Sequence, residues 1–449
     1  MSNVNRIINE RHYFAVSVET VSPICVRSGE NDHTDMDVLK NLTGEVFIPG
    51  TTFAGAFRER LRAGKKEDCS FGFTDGALGH MSAVYISDLY FSSVPVVSLR
   101  DGVSLNTDKS VDNKFDAEII ETGAKGHIFI NYIKREGDTW EFDNEIADML
   151  KALDCGEIRI GARKNRGYGR CKITEVRERV FKKSQLNDWI KFVPIRKEFD
   201  SYGTPVEFET WFRNQEKRKK TEKETERENV FTAEYVTVKI PLKLTGGLSI
   251  RRYSTKPGKA DYEHLICNGV PVIPGSSWNG AIRSDAVRIL QELGCHNVDQ
   301  IIRDWFGFVD KDNAQQSMIA IEESVLEGSS FVPVTRNQVS RFSAAAVPGA
   351  LYSEIMATNG TTDLVFRVRK CGEESKTNCD KCKKNCYKAL IGLILLVVED
   401  LKSGMLPVGG LTAVGRGVFE GREGCKIEIS GNCTEDDCCH ALYDFVTGG

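Results

Sequence analysis

The chain has 449 residues, 41% of them hydrophobic and 28% charged, which is typical of a folded globular protein rather than a disordered one. A single core seldom extends over so many residues, so the length predicts two or three domains. The net charge of −4 excludes a uniformly basic surface but not a local basic groove. No apolar run reaches the roughly 20 residues of a membrane helix, and the first residues lack the apolar stretch of a secretory signal. We therefore expect a cytoplasmic protein with no membrane partner.

The first half of the chain predicts a mixed α and β domain. Residues 12–20 alternate apolar and polar side chains, as a half-buried strand does. A Pro-Gly turn with two threonines then precedes residues 53–64, whose apolar positions have helical spacing. Polar residues at 100–118 suit a projecting hairpin, and a glycine-rich loop at 161–169 closes the half. This order predicts an α+β sheet with helices packed on one face.

A segment of different character follows at residues 177–234. It contains the run EKRKKTEKETEREN at 216–229, in which charges of both signs alternate. Such a run is typical of a solvated helix face or a flexible linker, and its mixed signs make it a poor clamp for RNA. We therefore predict a first domain at 1–176, a charged linker at 177–234 and a second domain at 235–449.

The second half repeats the motifs of the first in the same order. IPGTTFAGAFR at 48–58 is matched by IPGSSWNGAIR at 273–283, and each is followed by a Phe-Gly pair. Arg100 and Glu118 have the same separation as Arg336 and Glu354. Both halves close on a loop of the form Gly-x5-Gly-x-Gly, the second of them at 409–417. Four ordered matches indicate an internal duplication.

These residues resemble the RAMP superfamily of CRISPR proteins, and most of all the backbone subunits of type III effector complexes. The resemblance covers residues 13–173 and 235–429. It implies two tandem modified RRM-like domains of ferredoxin type with hairpin insertions, similar to the fusions in type III-D and III-E effectors. It also implies three kinds of partner: CRISPR guide RNA, single-stranded target RNA and other effector subunits. By the same resemblance, the segments that begin at Arg100 and Arg336 are thumb hairpins, which wedge between guide and target.

The glycine loops are candidate phosphate sites. Glycine accepts positive φ angles and lets backbone N–H groups approach a phosphate closely. The first loop also carries Arg163, Lys164 and Arg166, whereas the second keeps only Arg416. A plain β-turn is the alternative, and it is harder to set aside for the second loop than for the first.

Arginines near the other motifs complete the predicted RNA contacts. Arg58 and Arg283 follow the Pro-Gly turn on a predicted helix, where we expect the helix dipole and the guanidinium to share a phosphate. The alternative is a surface arginine that lies over apolar neighbours. The full predicted set is Arg58, Arg100, Arg163, Lys164, Arg166, Arg283, Arg336 and Arg416.

An acidic excursion precedes each Pro-Gly turn. Asp35 and Asp37 are matched by Asp261 and Glu263, and a leucine follows at the same offset in both copies. The resemblance implies that target-RNA cleavage depends on one aspartate of this loop, which makes Asp35 and Asp261 the catalytic candidates. A carboxylate there would hold hydrated Mg²⁺ or Mn²⁺ against the scissile phosphate while a 2′-OH attacks in line. The expected product is a 2′,3′-cyclic phosphate.

The cysteines predict a metal site in the second half. Fourteen cysteines in a chain of this length, without marks of secretion, favour reduced thiols over a disulfide scaffold. The second half carries CGEESKTNCDKCKKNC, which the first half lacks, and its lysines favour thiolate formation. Free thiols or a disulfide are the alternatives to a structural zinc knuckle. The four predicted ligands are Cys371, Cys379, Cys382 and Cys386.

Together, these features predict a double backbone subunit that binds guide RNA and acts as a metal-dependent endoribonuclease on target RNA, with one acidic site per module. One alternative is a structural RNA-binding subunit in which one or both sites are inactive. A second is a metal-independent, guide-processing ribonuclease with a His-centred site, but His33 and His264 lie at unequal offsets from the aspartates, and we interpret them as incidental. A third is an RRM-type protein outside CRISPR, which would show stacking aromatics on its central strands.

Overall fold

The computed structural model describes residues 7–27, 36–63, 70–75, 78–105, 111–138, 142–192, 199–222, 234–253, 260–310, 313–370, 386–431 and 433–447. The chain divides into two compact units. The first contains residues 1–164 and 168–233, and the second contains residues 165–167 and 234–449. Both units combine helices with sheets, so the predicted α+β class is confirmed. Among the helices in the described ranges, none is both long and apolar enough to span a membrane.

The main sheet of the first unit is built around its first strand. Its strand order is β11-β10-β1-β9-β6-β2, and β5 also pairs with β9. The central strand pairs antiparallel with β9 on one side and β10 on the other. The elements of this unit are β1 (Ile8–Thr20), β2 (Phe47–Ile48), α1 (Gly50–Ala63), β3 (Phe73–Asp75), β4 (Leu78–His80), β5 (Val84–Ile86), β6 (Leu89–Phe91), β7 (Val97–Leu105), β8 (Val111–Ile120), β9 (Lys125–Arg135), α2 (Phe142–Asp154), β10 (Cys171–Lys182), α3 (Leu186–Lys191), β11 (Val206–Glu207) and α4 (Phe208–Glu222).

The two faces of this sheet are covered differently. Phe14 and Val16 of β1 lie in the main core with residues of α1 and α2, because alternate residues of a strand share a face. Tyr13, on the opposite face, lies in a separate aromatic cluster. Its ring centroid is 4.8 Å from that of Phe192, and its hydroxyl oxygen lies 2.8 Å from Nε1 of Trp189. The aromatic face is therefore covered by residues that follow β10 in the chain.

Part of the segment that the sequence predicts as a linker is folded. Strand β10 of the main sheet runs to Lys182, and the edge strand β11 at Val206–Glu207 leads directly into α4, which begins at Phe208. Phe208, Trp211 and Phe212 are buried in the main core of the first unit. Their spacing of three and four residues places them on one helix face. The charged run starts only after these aromatic residues, so composition hides the amphipathic helix that precedes it.

The second unit has a smaller main sheet. Its strand order is β20-β24-β12-β25, and β26 also pairs with β12. The elements of this unit are β12 (Tyr235–Thr245), β13 (Gly247–Leu248), β14 (Arg251–Tyr253), β15 (Tyr262–His264), β16 (Ile266–Cys267), β17 (Val270–Ile273), α5 (Gly275–Glu292), α6 (Val298–Phe306), β18 (Phe308–Val309), β19 (Ala314–Gln315), β20 (Ile319–Ile321), β21 (Ser324–Val325), β22 (Ser330–Val339), β23 (Ala346–Thr358), β24 (Thr361–Arg369), α7 (Cys386–Lys402), β25 (Val418–Gly421), β26 (Glu428–Ile429) and α8 (Glu435–Thr447).

The two units share one plan. In the first, β5, β9, β1 and β10 lie side by side, and in the second β20, β24, β12 and β25 do so in the corresponding order. Along the chain, α1 follows β1 and α5 follows β12, whereas α2 precedes β10 and α7 precedes β25. The longest apolar run of the sequence lies in α7, most of whose side chains are buried. The strand and helix order therefore repeats along with the sequence motifs.

In each unit, charged residues join two of the helices, α1 to α2 in the first and α5 to α7 in the second. In the first unit, Arg60 of α1 makes two hydrogen bonds to Asp148 of α2, of 3.1 and 3.2 Å, and a third of 3.2 Å to Glu157. All three side chains are buried. In the second unit, Arg288 of α5 is half exposed and pairs with Asp400 of α7. Only the first of these networks is shielded from water.

Candidate functional site

Each unit carries a long hairpin beside its main sheet. In the first hairpin, β7 pairs with β8, and Val97 lies opposite Ile120 at the base. In the second, β22 pairs with β23, and Ser330 lies opposite Thr358 at the base. The second hairpin turns at residues 340–345, where the ring of Phe342 is fully exposed. The hairpin that polar composition predicts at residues 100–118 therefore forms, and so does the one that the resemblance implies from Arg336.

Arg100 lies at the base of the first hairpin rather than on its surface. The side chain is 3% exposed, and its Nη2 lies 3.5 Å from Oε2 of Glu121, which is equally buried. A direct RNA contact would have to break this buried ion pair. The burial of Arg100 therefore argues against the phosphate contact predicted for it.

In the second unit, two predicted RNA-binding residues meet at one carboxylate. Glu354 of β23 is 2% exposed, and its Oε1 lies 3.2 Å from Nη2 of Arg336 and 3.6 Å from Nη2 of Arg416. The other oxygen accepts a hydrogen bond of 3.4 Å from Ser249. One carboxylate cannot neutralise two guanidinium groups, so this cluster keeps a net positive charge beside the hairpin.

The two glycine loops have the same backbone conformation. In each loop, the three glycines of the motif and the residue two places after the first glycine have positive φ angles. A short 3₁₀ helix occupies the same position, residues 164–166 or 412–414. A Cβ atom at Gly169 would lie 2.2 Å from the carbonyl oxygen of Ile160, and one at Gly417 would lie 1.8 Å from that of Val408. Close backbone approach thus explains these final glycines without any ligand.

Arg163 connects three of the predicted features. Its guanidinium carbon lies 4.5 Å from the ring centroid of Phe115 on the first hairpin, and its Nη2 lies 3.7 Å from Sδ of Met36 in the acidic excursion. Lys164 is half buried and Arg166 is exposed. The structure therefore brings the first glycine loop, hairpin and acidic excursion together at Arg163.

Arg58 and Arg283 lie deeper in their helices than the sequence predicts. Each is the ninth residue of its helix, about 12 Å from the N-terminus along the axis. The helix dipole acts mainly over the first turn, so this position argues against the predicted sharing of a phosphate with the dipole. Arg58 instead donates a hydrogen bond of 2.6 Å to the carbonyl oxygen of Gly72. Arg283 is exposed, and partial burial together with nearby Arg303 lowers its pKa.

The acidic excursion runs beside the second strand of the hairpin in both units. In the second unit, Tyr262 and Glu354 are paired residues of parallel strands β15 and β23. In the first unit, the backbone N–H of Glu118 donates to the carbonyl oxygen of Met36, at 2.8 Å. Asp35 lies outside the described residues. The match between the two excursions thus has a structural counterpart at the residues that follow Asp35 and Asp261.

Asp261 is exposed at the base of the second hairpin. The backbone N–H and hydroxyl of Ser353 both donate to its Oδ2, at 2.7 and 3.2 Å. Oδ1 accepts no hydrogen bond from the residues that the structure describes. Among the described residues, one carboxylate oxygen is thus fixed while the other has no hydrogen-bond donor. Sequence motifs did not indicate Ser353, although its neighbour Glu354 had a match in the first half.

His264 follows the acidic residues but is buried. Its Nδ1 lies 3.3 Å from both the carbonyl oxygen of Leu248 and the backbone nitrogen of Ile250. Burial lowers the pKa of His264 to about 4. The imidazole is therefore neutral and enclosed at neutral pH, as expected of a structural residue rather than a general acid or base.

This pKa predicts a loss of stability on acidification. Between pH 6.5 and about 4, the unfolded chain binds a proton at His264 that the folded chain does not bind. The free energy of unfolding should therefore be lower by about 2 kcal/mol at pH 5 than at pH 7.5. In His264→Asn, the melting temperature of the second unit should fall less over this pH range than in the wild type. His296→Asn, at an exposed histidine, should keep the wild-type fall. Equal falls in the wild type and His264→Asn would contradict the prediction.

The predicted zinc ligands lie mostly outside the described residues. Cys371, Cys379 and Cys382 are among residues 371–385, which the structure does not describe. Cys386 is buried at the start of α7, with its sulfur 4.0 Å from that of Met318. Within the described ranges, no three histidine, cysteine or acidic side chains are grouped as metal ligands. The four-cysteine site stays a prediction.

Comparison with known proteins gives one family. A sequence model of the RAMP superfamily matches residues 17–172 and 256–420, one region in each half of the chain. No curated protein shows a significant match. The matched regions contain the Pro-Gly turns, the hairpins and both glycine loops, and together they cover well over half of the chain. The chain therefore belongs to the RAMP superfamily and contains two regions of that family.

Proposed function

We propose that this chain is a double backbone subunit of a type III CRISPR ribonucleoprotein, in which each module grips guide RNA. Membership of the RAMP superfamily points to a CRISPR-associated RNA-binding subunit. The observation that carries the proposal is the repeat, in both units, of the sheet order, the hairpin and the glycine loop. On this proposal, each of the two modules offers its own contact to the guide RNA. The β-α-β-β-α-β order also supports a ferredoxin-type plan for each module.

The proposed RNA path follows the basic residues that are at least partly exposed. Arg163 and Arg166 lie in the first glycine loop, and Arg336 and Arg416 lie beside the second hairpin. Their guanidinium groups suit phosphate oxygens, which they bind by charge-assisted hydrogen bonds. Phe342 offers a ring on which a base of single-stranded RNA can stack.

Loss of two loop arginines should weaken RNA binding and its salt dependence. In the double variant Arg163→Ala, Arg166→Ala, the slope of log affinity against log salt should become less steep by about 1.4, because two phosphate contacts no longer release counterions. Filter binding of guide RNA at several salt concentrations measures this slope. Arg218→Ala, at an exposed arginine of α4, is the matched control and should leave the slope unchanged. An unchanged slope in the double variant would remove the loop from the RNA path.

We further propose that the acidic excursions cut target RNA. The carboxylates of Asp35 and Asp261 would hold a hydrated Mg²⁺ or Mn²⁺, which supplies positive charge to the scissile phosphate. A 2′-OH of the target attacks the adjacent phosphorus, the bond to the 5′-oxygen breaks, and a 2′,3′-cyclic phosphate and a 5′-OH remain. The available Oδ1 of Asp261 supports this role. A structural subunit without cleavage is the competing proposal, and chelation of divalent metal separates the two.

We also propose one structural zinc ion at Cys371, Cys379, Cys382 and Cys386. A closed site of four thiolates is the usual structural zinc site, and Cys386 at the start of α7 would tie it to the core. Elemental analysis of protein purified without oxygen should give about one zinc per chain, as four ligands per ion require. Cys382→Ser should lose that zinc, while Cys425→Ser, at an exposed cysteine, should keep it. Wild-type protein without zinc would contradict the assignment.

A further inference from the structure

Three hydrogen bonds fasten Asp261 to the second hairpin. Ser353 donates to Oδ2 of Asp261 from its backbone nitrogen and its hydroxyl, and the backbone N–H of Asp261 donates to the Ser353 hydroxyl oxygen at 3.2 Å. The two residues are 92 positions apart in the chain, so these bonds fix the acidic excursion against β23. Bonds to a carboxylate are stronger than bonds between neutral groups and restrict its rotation.

The first unit has no such hydroxyl. Glu118 and Glu354 occupy equivalent places, since Glu118 bonds to Met36 and Glu354 pairs with Tyr262. The residue before each glutamate is Ala117 in the first unit and Ser353 in the second. Alanine can neither donate to a carboxylate nor accept from a backbone N–H through its side chain. The two modules therefore differ at the residue that holds the acidic excursion.

We propose that Ser353 is a positioning residue for Asp261, with no counterpart in the first module. This inference rests on the proposed cleavage function. A carboxylate held in one orientation presents its second oxygen to a cation without first losing rotational freedom. The hydroxyl of Ser353 therefore acts on the reaction only through Asp261.

Ser353→Ala tests this role in the complex assembled with guide RNA. Under single-turnover conditions, the cut that depends on Asp261 should slow by about tenfold and need more divalent metal, as expected when a partner of a metal ligand is removed. The cut that depends on Asp35, and the affinity for target RNA, should not change. Ser353→Thr should restore the rate because it keeps the hydroxyl. Ser330→Ala, on the facing strand, is the control.

Two failures can be told apart. If Asp261→Ala removes a cut but Ser353→Ala leaves its rate and metal dependence unchanged, Ser353 is not a positioning residue, and the cleavage proposal stands. Equal slowing of both cuts would also overturn the inference, because it indicates a general structural effect. If Asp261→Ala leaves every cut in place, the cleavage proposal itself fails.

A separate observation concerns two thiols at the start of α8. The hydroxyl of Thr434 accepts from the backbone N–H of Asp437 at 3.1 Å, and the carboxylate of Asp437 accepts from that of Thr434 at 3.0 Å, which forms a capping box. Cys433 and Cys438 flank this box at the two positions that pack together in a hydrophobic staple. Both are buried, and their sulfur atoms are 3.1 Å apart.

We infer that Cys433 and Cys438 are a site of reversible disulfide formation with a low-molecular-weight disulfide such as oxidised glutathione. The sulfur of Cys433 attacks one sulfur of the reagent, whose S–S bond breaks and releases one thiol. The sulfur of Cys438 then displaces the second thiol and closes the S–S bond. Two electrons pass to the reagent, and the two protons end on the released thiols. Cys433 is 9% exposed and Cys438 is fully enclosed, so Cys433 is the first to react.

Alkylation after treatment of the full chain with oxidised glutathione tests this site. Peptide mass analysis should show Cys433 and Cys438 without alkyl groups and lighter by two hydrogens, and amide hydrogen exchange at the start of α8 should slow several-fold. Exposed Cys425 should not form part of this bond. Cys433→Ser should abolish both changes. Recovery of Cys433 and Cys438 as alkylated thiols, or as separate mixed disulfides with glutathione, would overturn the inference.

Discussion

Asp261→Asn should lower the rate of one target-RNA cut by at least about a hundredfold and leave target binding intact. The amide keeps the shape of the side chain and still accepts hydrogen bonds from Ser353, but it lacks the negative charge that holds a cation. Asp261→Ala removes both the charge and these bonds. If the two variants lose the same cut to the same extent, the charge of Asp261 carries the chemistry.

A denaturing gel of end-labelled target RNA resolves the individual cuts. Asp35→Asn should remove a different cut, because sites in separate modules act nearly independently, and chelation of divalent metal should remove both. Asp299→Asn, at an exposed aspartate of α6, is the control for a surface charge. A double variant of Asp35 and Asp261 that still cuts at every wild-type position would assign the chemistry to another subunit. If the double variant loses only one of the wild-type cuts, then one of the two modules is purely structural.

Removal of Arg60 should destabilise the first unit by about 3–5 kcal/mol, because the buried carboxylates of Asp148 and Glu157 would lose the positive charge and the hydrogen bonds of Arg60. Amide hydrogen exchange in α1 and α2 of Arg60→Met measures this loss. Arg288→Ala provides the comparison in the second unit, where Arg288 itself is half exposed and its ion pairs should contribute about 1 kcal/mol or less. Addition of Asp148→Leu to Arg60→Met should recover part of the loss. Equal effects of Arg60→Met and Arg288→Ala would show that burial does not govern these networks.

Local sequence patterns predicted the parts of the fold that depend on local conformation. The alternation in β1, the Pro-Gly turns before α1 and α5, and the glycine loops all follow from backbone preferences within a few residues. The duplication added long-range information, because a motif seen twice in the same order restricts both copies. The mixed α+β class and both hairpins followed from these two sources.

The surroundings of individual side chains could not be read in this way. Arg100 and Arg336 occupy matched positions, yet only Arg100 is almost fully buried. Arg58 is held by a carbonyl group 14 residues away, and the partner of Asp261 is 92 residues away. Sequence spacing identifies which residues carry charge, but burial and pairing depend on strands that meet only in the folded chain. The sequence therefore predicted the conformation of motifs more reliably than the burial and pairing of single arginines.

The aromatic residues beyond β10 affect how the first unit folds during synthesis. Trp211 completes the main core, and Phe192 covers the ring of Tyr13 on the other face of the sheet. A nascent chain that has emerged only to residue 176 has most strands of the first module, with β10 still incomplete, but neither of these rings. Its sheet would expose apolar surface on both faces, which favours aggregation. Cooperative folding of this module should therefore wait until α4 leaves the ribosome, although the recognisable family motif ends about 40 residues earlier.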